Sequence, residues 1–283
     1  MIAQDFPGKD DIVRVLDQLD APQRSRKYSN DTVLQCAFFV LRTGIAWRDL
    51  AAFQIAPTTV YNRWRHWVQC GFLTKVFEHI SQLYIDRLDI KDFQQFYIDS
   101  TMVKNRNGVD CVGKNPTDRG RLGTKLSVIC DYEQVPLAAK FYPANKADCT
   151  TTIETVELMR QPVKSDGRRV SVLVGDRGYI SEEVATTLRC KHRMRLLTPF
   201  RRNARKKPRF STADKELLRR RHCVENLFCR LDKFKRLFYR QDQLISLFEA
   251  MHHLAFSTII LSKLAKNTVT GLSVGKTGVS RKP

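Results

Sequence analysis

The order of the apolar segments constrains the fold of this chain more than any other feature of its sequence. From about residue 93 onward, three β-rich segments come first, at 96–104 (FYIDSTMVK), 123–131 (GTKLSVICD) and 136–144 (PLAAKFYPA). Helix and strand patterns then alternate, with helices at 148–160, 181–191, 213–238 and 246–266 and strands at 170–176 and 194–200. Consecutive strands followed by alternating helices and strands predict an α/β fold, a mixed sheet flanked by helices.

The segment before the strands has a helical pattern over residues 29–88. SNDTVLQCAFFVLRTG offers N-cap candidates at Ser29 and the two residues after it, and a stop at Gly44. AWRDLAAF predicts a short helical turn, and APTTVYNRWRHWVQCG a helix capped by Thr58 that stops at Gly71. We therefore expect three short helices in succession.

The third of these helices carries Tyr61, Arg63, Arg65 and His66, which we expect to point outward. A basic and aromatic face on the later helix of a short helical series is typical of a helix-turn-helix that contacts DNA. A plain helical bundle that only packs on the rest of the chain is the alternative. We predict a helical DNA-binding domain at 1–90, a catalytic domain at 91–266 and a disordered tail at 267–283.

The charge of the chain supports a nucleic-acid partner. Its 283 residues include 49 Lys and Arg against 29 Asp and Glu, a formal net charge of +20. Such an excess favours binding to double-stranded DNA through release of phosphate counterions, although a surface basic only for solubility is the alternative. No apolar run of membrane-spanning length, no signal peptide and no cysteine framework stand out, so we expect a cytoplasmic, nucleoid-associated protein without a membrane partner.

Three acids are candidates for chemistry. Asp99 interrupts an apolar strand, Asp176 ends the apolar strand VSVLVGD, and Glu225 borders the apolar stripe of a helix. Each has an ordinary alternative: Asp176 as a turn or cap residue, and Glu225 as a surface partner of Arg221. Together they match what two-metal phosphoryl transfer requires, with carboxylates holding two Mg²⁺ ions, or Mn²⁺ in their place. A metal ion would compensate the burial of Asp99.

Several motifs resemble those of DDE transposases of bacterial insertion sequences, in the family-five group. They run from about residue 10 to residue 265: LRTGIAWRDL with TTVYNRWRHWVQCG, YIDSTMVK, GTKLSVICDYEQVPLAAKFYPANKADC, VLVGDRGY and RRRHCVENLFCRLDKFKRL. The resemblance implies an RNase H-like catalytic fold. It also implies that Asp99, Asp176 and Glu225 are metal ligands, and that the protein moves a DNA element with inverted terminal repeats.

The glutamate helix of the resembled family carries a tyrosine, an arginine, the glutamate and a lysine. Here Arg221 and Glu225 fit, whereas Leu218 takes the tyrosine place and Asp232 the lysine place. Lys233 and Lys235, beside that place, are therefore the candidates for positioning DNA. Arg177, which follows Asp176, and Arg221 are candidates for neutralising the scissile phosphate, and the basic segment 201–210 (RRNARKKPRF) is a further candidate for holding DNA.

The sequence thus favours a transposase that binds the terminal inverted repeats, cleaves DNA with Mg²⁺ and transfers the freed strand to target DNA. By analogy with transposition in general, two element ends must be brought together, which implies a homo-oligomer on DNA. Two alternatives stay open: a catalytically silent DNA-binding protein derived from a transposase, and a simple metal-dependent nuclease.

Overall fold

The first third of the molecule is helical, as its sequence pattern predicts. The structure, a computed structural model, describes residues 5–88, 94–160, 170–200 and 209–273. The helices are α1 (Lys9–Leu19), α2 (Asn30–Thr43), a 3₁₀ segment (Trp47–Phe53), α3 (Pro57–Gln69) and α4 (Phe72–Ile85). Ser29 caps α2 by accepting the Thr32 N–H, and Gly44 ends it with a left-handed φ of 75°, so both predicted limits are confirmed.

The start of α3 differs from the prediction. Ala56, not Thr58, occupies the N-cap, and Pro57 is the first helical residue. Proline begins helices readily because its fixed φ suits the first turn and its missing N–H has no partner there. Thr58 consequently lies inside the helix, with its side chain exposed. Gly71, with φ 68°, precedes α4 and separates the two helices.

A mixed sheet follows, as predicted, and within the described residues it has seven strands, two more than the sequence pattern indicated. Its strands are β1 (Gln95–Asn105), β2 (Gly113–Lys114), β3 (Leu122–Asp131), β4 (Pro136–Pro143), β5 (Ser171–Val174), β6 (Met194–Leu197) and β7 (Tyr239–Arg240). β1 pairs antiparallel with β3 and parallel with β5, so it is a central strand. β3 also pairs with β4 and β2, β5 pairs with β6, and β7 adds a short pairing to β1.

The helices of the second part are α5 (Asp148–Glu157), α6 (Glu182–His192), α7 (Thr212–Arg220), α8 (His222–Leu231) and α9 (Ile245–Ser273). The single helix predicted over 213–238 is wrong, because α7 and α8 meet at Arg221 and α8 ends at Leu231. Phe234 is buried but has an extended backbone, with φ −95° and ψ 92°. The apolar period therefore continues beyond the helix, which explains the overestimate.

The closing helix α9 joins the two parts of the chain. It packs on α4, and buried apolar residues form one core that runs from Phe6 to Leu264. Ile245–Lys266 is long and apolar enough to cross a membrane by length and composition, but 78% of its most apolar window is buried inside the protein. α9 continues to Ser273, past the predicted start of the tail at 267, and residues 274–283 lie outside the described ranges.

Candidate active site

The first predicted acid, Asp99, lies on the central strand β1. Its side chain is 20% exposed and accepts a hydrogen bond from the backbone N–H of Ser100 at 2.8 Å. Desolvation raises the pKa of the Asp99 carboxyl above its usual value, and the negative charge of nearby Asp176 raises it further. The ionised acid therefore needs positive charge close by.

Arg221 supplies this charge in the structure. Its Nη1 donates to Asp99 Oδ2 at 3.0 Å, and its Nη2 donates to Glu225 Oε1 at 2.7 Å. Arg221 stands at the junction of α7 and α8, and Glu225 lies in the first turn of α8 with a side chain that is 53% exposed. One guanidinium thus joins the strand acid to the helix acid, so the first and third predicted acids meet. The contact between Arg221 and Glu225 is the alternative that the sequence left open for Glu225, whereas the prediction assigned Arg221 to the scissile phosphate.

Asp176 comes to the same edge of the sheet from β5. Tyr97 on β1 pairs with Val174 on β5, so Asp99 and Asp176 each stand two residues beyond this parallel pair. Asp176 also caps the short 3₁₀ turn Arg177–Tyr179, where its Oδ1 accepts the Gly178 N–H at 2.6 Å. Asp176 therefore does have the turn-capping role considered as an alternative. This role is compatible with a place in the site, because the capping acid still lies beside Asp99.

The three acids offer hard oxygen ligands of the kind that Mg²⁺ and Mn²⁺ prefer. Among the described residues, no three His, Cys, Asp or Glu side chains are gathered closely enough to ligate one ion as they stand, and Arg221 lies between two of the acids. Burial and the charge of Asp176 raise the pKa of the Asp99 carboxyl, so positive charge nearby would stabilise its ionised form. The donor chemistry therefore fits a divalent cation once Arg221 leaves Asp99 and Glu225.

Four of the predicted DNA contacts are exposed to solvent: Arg65 on α3, Arg177 after Asp176, and Lys233 and Lys235 after α8. Their positions leave them free to approach a phosphate backbone. Most of the predicted basic segment, residues 201–208, lies outside the described ranges.

The outward placement predicted for Arg63 is wrong. Its Nε donates to Asp20 Oδ2 at 2.7 Å and its Nη2 to Asn30 Oδ1 at 2.6 Å, and only 15% of the side chain is exposed. Tyr61 is half-buried and packs on Trp47, with ring centroids 5.4 Å apart. Both side chains hold the helices together, because partners from α1, α2 and the 3₁₀ segment compete with solvent for them.

Sequence reasoning missed a second polar group beside the acids. Lys125 on β3 is 3% exposed, and its Nζ lies 2.6 Å from Asp148 Oδ1 at the start of α5. The same oxygen accepts a hydrogen bond from Ser100 Oγ at 2.6 Å. A lysine inside the apolar run GTKLSVICD was an available signal, because a buried ammonium requires an acidic partner.

Comparisons with known proteins agree with this arrangement. A family model described as "Transposase DDE domain" matches residues 91–259, which include all three acids. A second model, "Putative transposase of IS4/5 family", matches residues 11–77, which include α3. The first match alone covers more than half of the chain.

Two individual proteins are similar. The "Putative transposase for insertion sequence element IS402" of Burkholderia cepacia is 35% identical over 108 residues, 37% of this chain and about half (48%) of that protein's length. A cryo-EM structure of the piggyBac transposase synaptic complex with hairpin DNA covers 96% of this chain and 74% of its own, with a TM-score of 0.51 and 10% identity. The likeness in fold agrees with the RNase H-like sheet predicted from the sequence. Since the two family models together span the helices and the sheet, the chain belongs to the DDE transposases, enzymes that process DNA, as a member of the IS4/5 type.

Proposed function

We propose that this transposase binds the terminal inverted repeats of its insertion sequence and catalyses metal-dependent strand cleavage and strand transfer. One observation carries the proposal: Asp99 and Glu225 share the guanidinium of Arg221, while Asp176 stands beside Asp99. Asp99 is thus associated with two acids that are far from it in sequence, with Glu225 through Arg221 and with Asp176 through the pairing of β1 and β5. Such a cluster is costly to maintain unless it binds positive charge.

Asp99, Asp176 and Glu225 would hold two Mg²⁺ ions, for which Mn²⁺ would substitute. When bound, such ions activate the attacking oxygen and stabilise the leaving oxygen of an in-line displacement. Asp99 and Asp176 provide the partly buried part of the site, where desolvation favours neutralisation by a cation. Glu225 provides the exposed part, on the side from which DNA would approach.

Arg221 would act before and after the cations bind. In the structure it forms ion pairs with both Asp99 and Glu225. If Arg221 were released from these acids, its guanidinium would lie beside the scissile phosphate. A guanidinium binds a phosphate group through two parallel hydrogen bonds. This sequence accounts for both the observed ion pairs and the phosphate contact predicted from the sequence.

The amino-terminal helices would recognise the element ends. Asn62, Arg65 and His66 are exposed on α3, and Arg65 replaces Arg63 as the central basic contact. Arg177, Lys233 and Lys235 would bind phosphates nearer the acids. Because two ends must be held together for transfer, we propose a homo-oligomer on DNA, acting in the cytoplasm at the nucleoid.

Incubation with Mg²⁺ and a duplex that carries the inverted repeat flanking the gene tests this proposal. Wild type should cut at the repeat boundary and give joined products. Asp99→Asn should bind the duplex with nearly unchanged affinity and give neither product. Glu78→Gln, which changes a surface acid on α4 paired with Arg160, should behave as wild type.

The two alternatives predict different products. A simple nuclease would cut without joining, and a silent DNA-binding protein would bind tightly without any Mg²⁺-dependent cut. Normal cleavage by Asp99→Asn would show that the acids are not the catalytic site.

A further inference from the structure

A buried ion pair lies next to the three acids but takes no part in the reaction as proposed. Lys125 is held inside the sheet with 3% of its side chain exposed, and Asp148, its partner at 2.6 Å, is 30% exposed. Breaking such a pair by removing one partner is costly because a buried charge is left alone, whereas replacing both by apolar residues is often tolerated. Stability alone therefore does not require the pair.

One oxygen of Asp148 ties the pair to the strand that carries Asp99. Oδ1 accepts both the Lys125 ammonium and the hydroxyl of Ser100, each at 2.6 Å. Ser100 directly follows Asp99, and its backbone N–H donates to the Asp99 carboxylate. The side chain and backbone of Ser100 are thus fixed from two sides, one of which is Asp148.

The other oxygen of Asp148 faces the turn that carries Asp176. A Cβ built at Gly178 would lie 3.0 Å from Asp148 Oδ2 and 3.0 Å from Asp176 Oδ1. The two carboxylates therefore flank Gly178 and are separated by no more than twice this distance. A Cβ at Gly178 would make tight contacts with both oxygens, which would have to shift by a few tenths of an ångström to accept a larger residue.

Tyr179, which ends the 3₁₀ turn, lies close to these groups. Its side chain is fully buried, and the pKa of its phenol is raised by desolvation and by the charges of Asp148, Asp99 and Asp176. The charges of all three acids raise the pKa of the same phenol. Asp148 therefore lies in the same electrostatic environment as Asp99 and Asp176, two of the predicted metal ligands. Lys125 is the cation that balances Asp148 there.

We propose that Lys125 and Asp148 are positioning residues, which hold Ser100 on β1 and the 176–179 turn at a fixed separation and thereby set the affinity of Asp99 and Asp176 for the divalent cation. This inference rests on the proposed metal-dependent function. Lys125 acts through Asp148, and Asp148 acts through Ser100 and Gly178, so neither residue touches the metal or the DNA. Residues that orient metal ligands in this way typically change metal affinity by about 10–100-fold when replaced.

The Mg²⁺ concentration that gives half-maximal cleavage measures this role. Asp148→Asn and Lys125→Met should each raise it about 10-fold or more, with DNA affinity unchanged and with much of the maximal rate regained at saturating metal. Lys125→Arg, which keeps the cation, should stay close to wild type. Calorimetric binding of Mn²⁺ to DNA-free protein should show the same order of affinities.

The double variant Lys125→Met/Asp148→Leu separates positioning from stability. Because no unpaired charge remains, its thermal midpoint should recover most of what either single variant loses, while its Mg²⁺ requirement stays high. A double variant that recovers both would show that the pair is only structural and would overturn the proposal. Unchanged Mg²⁺ requirement in stably folded Asp148→Asn would overturn it as well.

The neighbouring pair of Lys140 on β4 and Glu154 on α5 is a matched control. It also links a strand lysine to α5, at 2.7 Å, but its side chains are more exposed, at 38% and 42%, and Asp148, not Glu154, accepts the Ser100 hydroxyl. Lys140→Met/Glu154→Gln should therefore leave the Mg²⁺ requirement unchanged. A wild-type protein that binds Mn²⁺ but cuts no element end would contradict the proposed function, and the Mn²⁺ affinities of the variants would then decide the positioning role.

Discussion

Asp20 organises the amino-terminal helices through one buried carboxylate. It accepts hydrogen bonds from Trp67 Nε1 and Arg63 Nε, both at 2.7 Å, and from Arg26 at 2.9 Å. Burial alone would raise the pKa of the Asp20 carboxyl, but these donors lower it below its usual value. Arg26 and Arg63 are thus structural, and Arg65, which faces solvent on α3, is the remaining candidate for a DNA contact on this helix.

Replacing Arg63 and Arg65 separately should distinguish these roles. Arg63→Ala should lower the free energy of unfolding by about 2 kcal/mol, because Asp20 loses a hydrogen bond to a charged donor. Arg65→Ala should change the free energy of unfolding by less than about 0.5 kcal/mol. It should weaken DNA binding and reduce the slope of log affinity against log salt concentration by about 1, because one phosphate contact is lost. Urea denaturation and binding titrations over a salt series measure the two effects. The opposite pattern would restore Arg63 as the DNA contact.

Local sequence patterns predicted the strand positions of Asp99 and Asp176 better than they predicted the hydrogen-bond partners of other polar side chains. Asp99 interrupts an apolar strand and Asp176 ends one, so local patterns single them out. Arg63 bonds Asp20, 43 positions away, and Lys125 bonds Asp148 across 23 positions. The local sequence pattern does not predict such partners, because they depend on how the helices and strands pack against one another.

At the scale of elements, caps decide where the helices begin. Ser29 accepts the Thr32 N–H at 3.1 Å at the start of α2, whereas α3 relies on Pro57 in its first turn. The five longer strands were predicted to within a few residues because alternation and turns mark their ends, whereas the two-residue strands β2 and β7 were not predicted. The end of α8 at Leu231 was not predicted either, because Val224, Leu227 and Leu231 form an apolar period that runs on to Phe234.

Ser29→Ala and Thr58→Ala should therefore have unequal effects. Loss of the cap at Ser29 should reduce the free energy of unfolding by about 1 kcal/mol. Thr58→Ala should change it by less than about 0.5 kcal/mol, since Thr58 is exposed and caps nothing. Chemical denaturation of both variants provides the comparison, and equal losses would argue that Thr58 is a cap after all.

For the whole molecule, a buried hydrogen bond links the amino-terminal helices to the sheet. Tyr84 Oη on α4 donates to Asp131 Oδ2 on β3 at 2.6 Å, and the Val135 N–H donates to Oδ1 at 2.9 Å. Burial raises the pKa of the Asp131 carboxyl to about 6. The domain boundary predicted near residue 90 is thus crossed by a polar contact as well as by the continuous core.

Asp131 should make stability depend on pH. Because its folded pKa exceeds the usual 3.8, its stabilising contribution is complete below about pH 4 and is lost as the pH rises through 6. The free energy of unfolding of wild type relative to Asp131→Asn should therefore fall by up to about 3 kcal/mol between pH 4 and pH 7. His252 and His253, whose pKa values are lowered to about 4 and about 3 by burial, titrate in both proteins and cancel in the difference. A difference independent of pH would contradict this assignment.

Ligation of metal by the acids is the central claim, and a ligand replacement tests it most directly. Asp99→Cys should lose more than about 100-fold in single-turnover cleavage of an element end with Mg²⁺, because Mg²⁺ binds sulfur poorly. With Mn²⁺, which accepts sulfur more readily, the cysteine variant should regain much of the wild-type rate, whereas Asp99→Ala should stay inactive with either ion. Recovery of Asp99→Ala with Mn²⁺, or equal rates of Asp99→Cys with both ions, would show that Asp99 does not hold the metal.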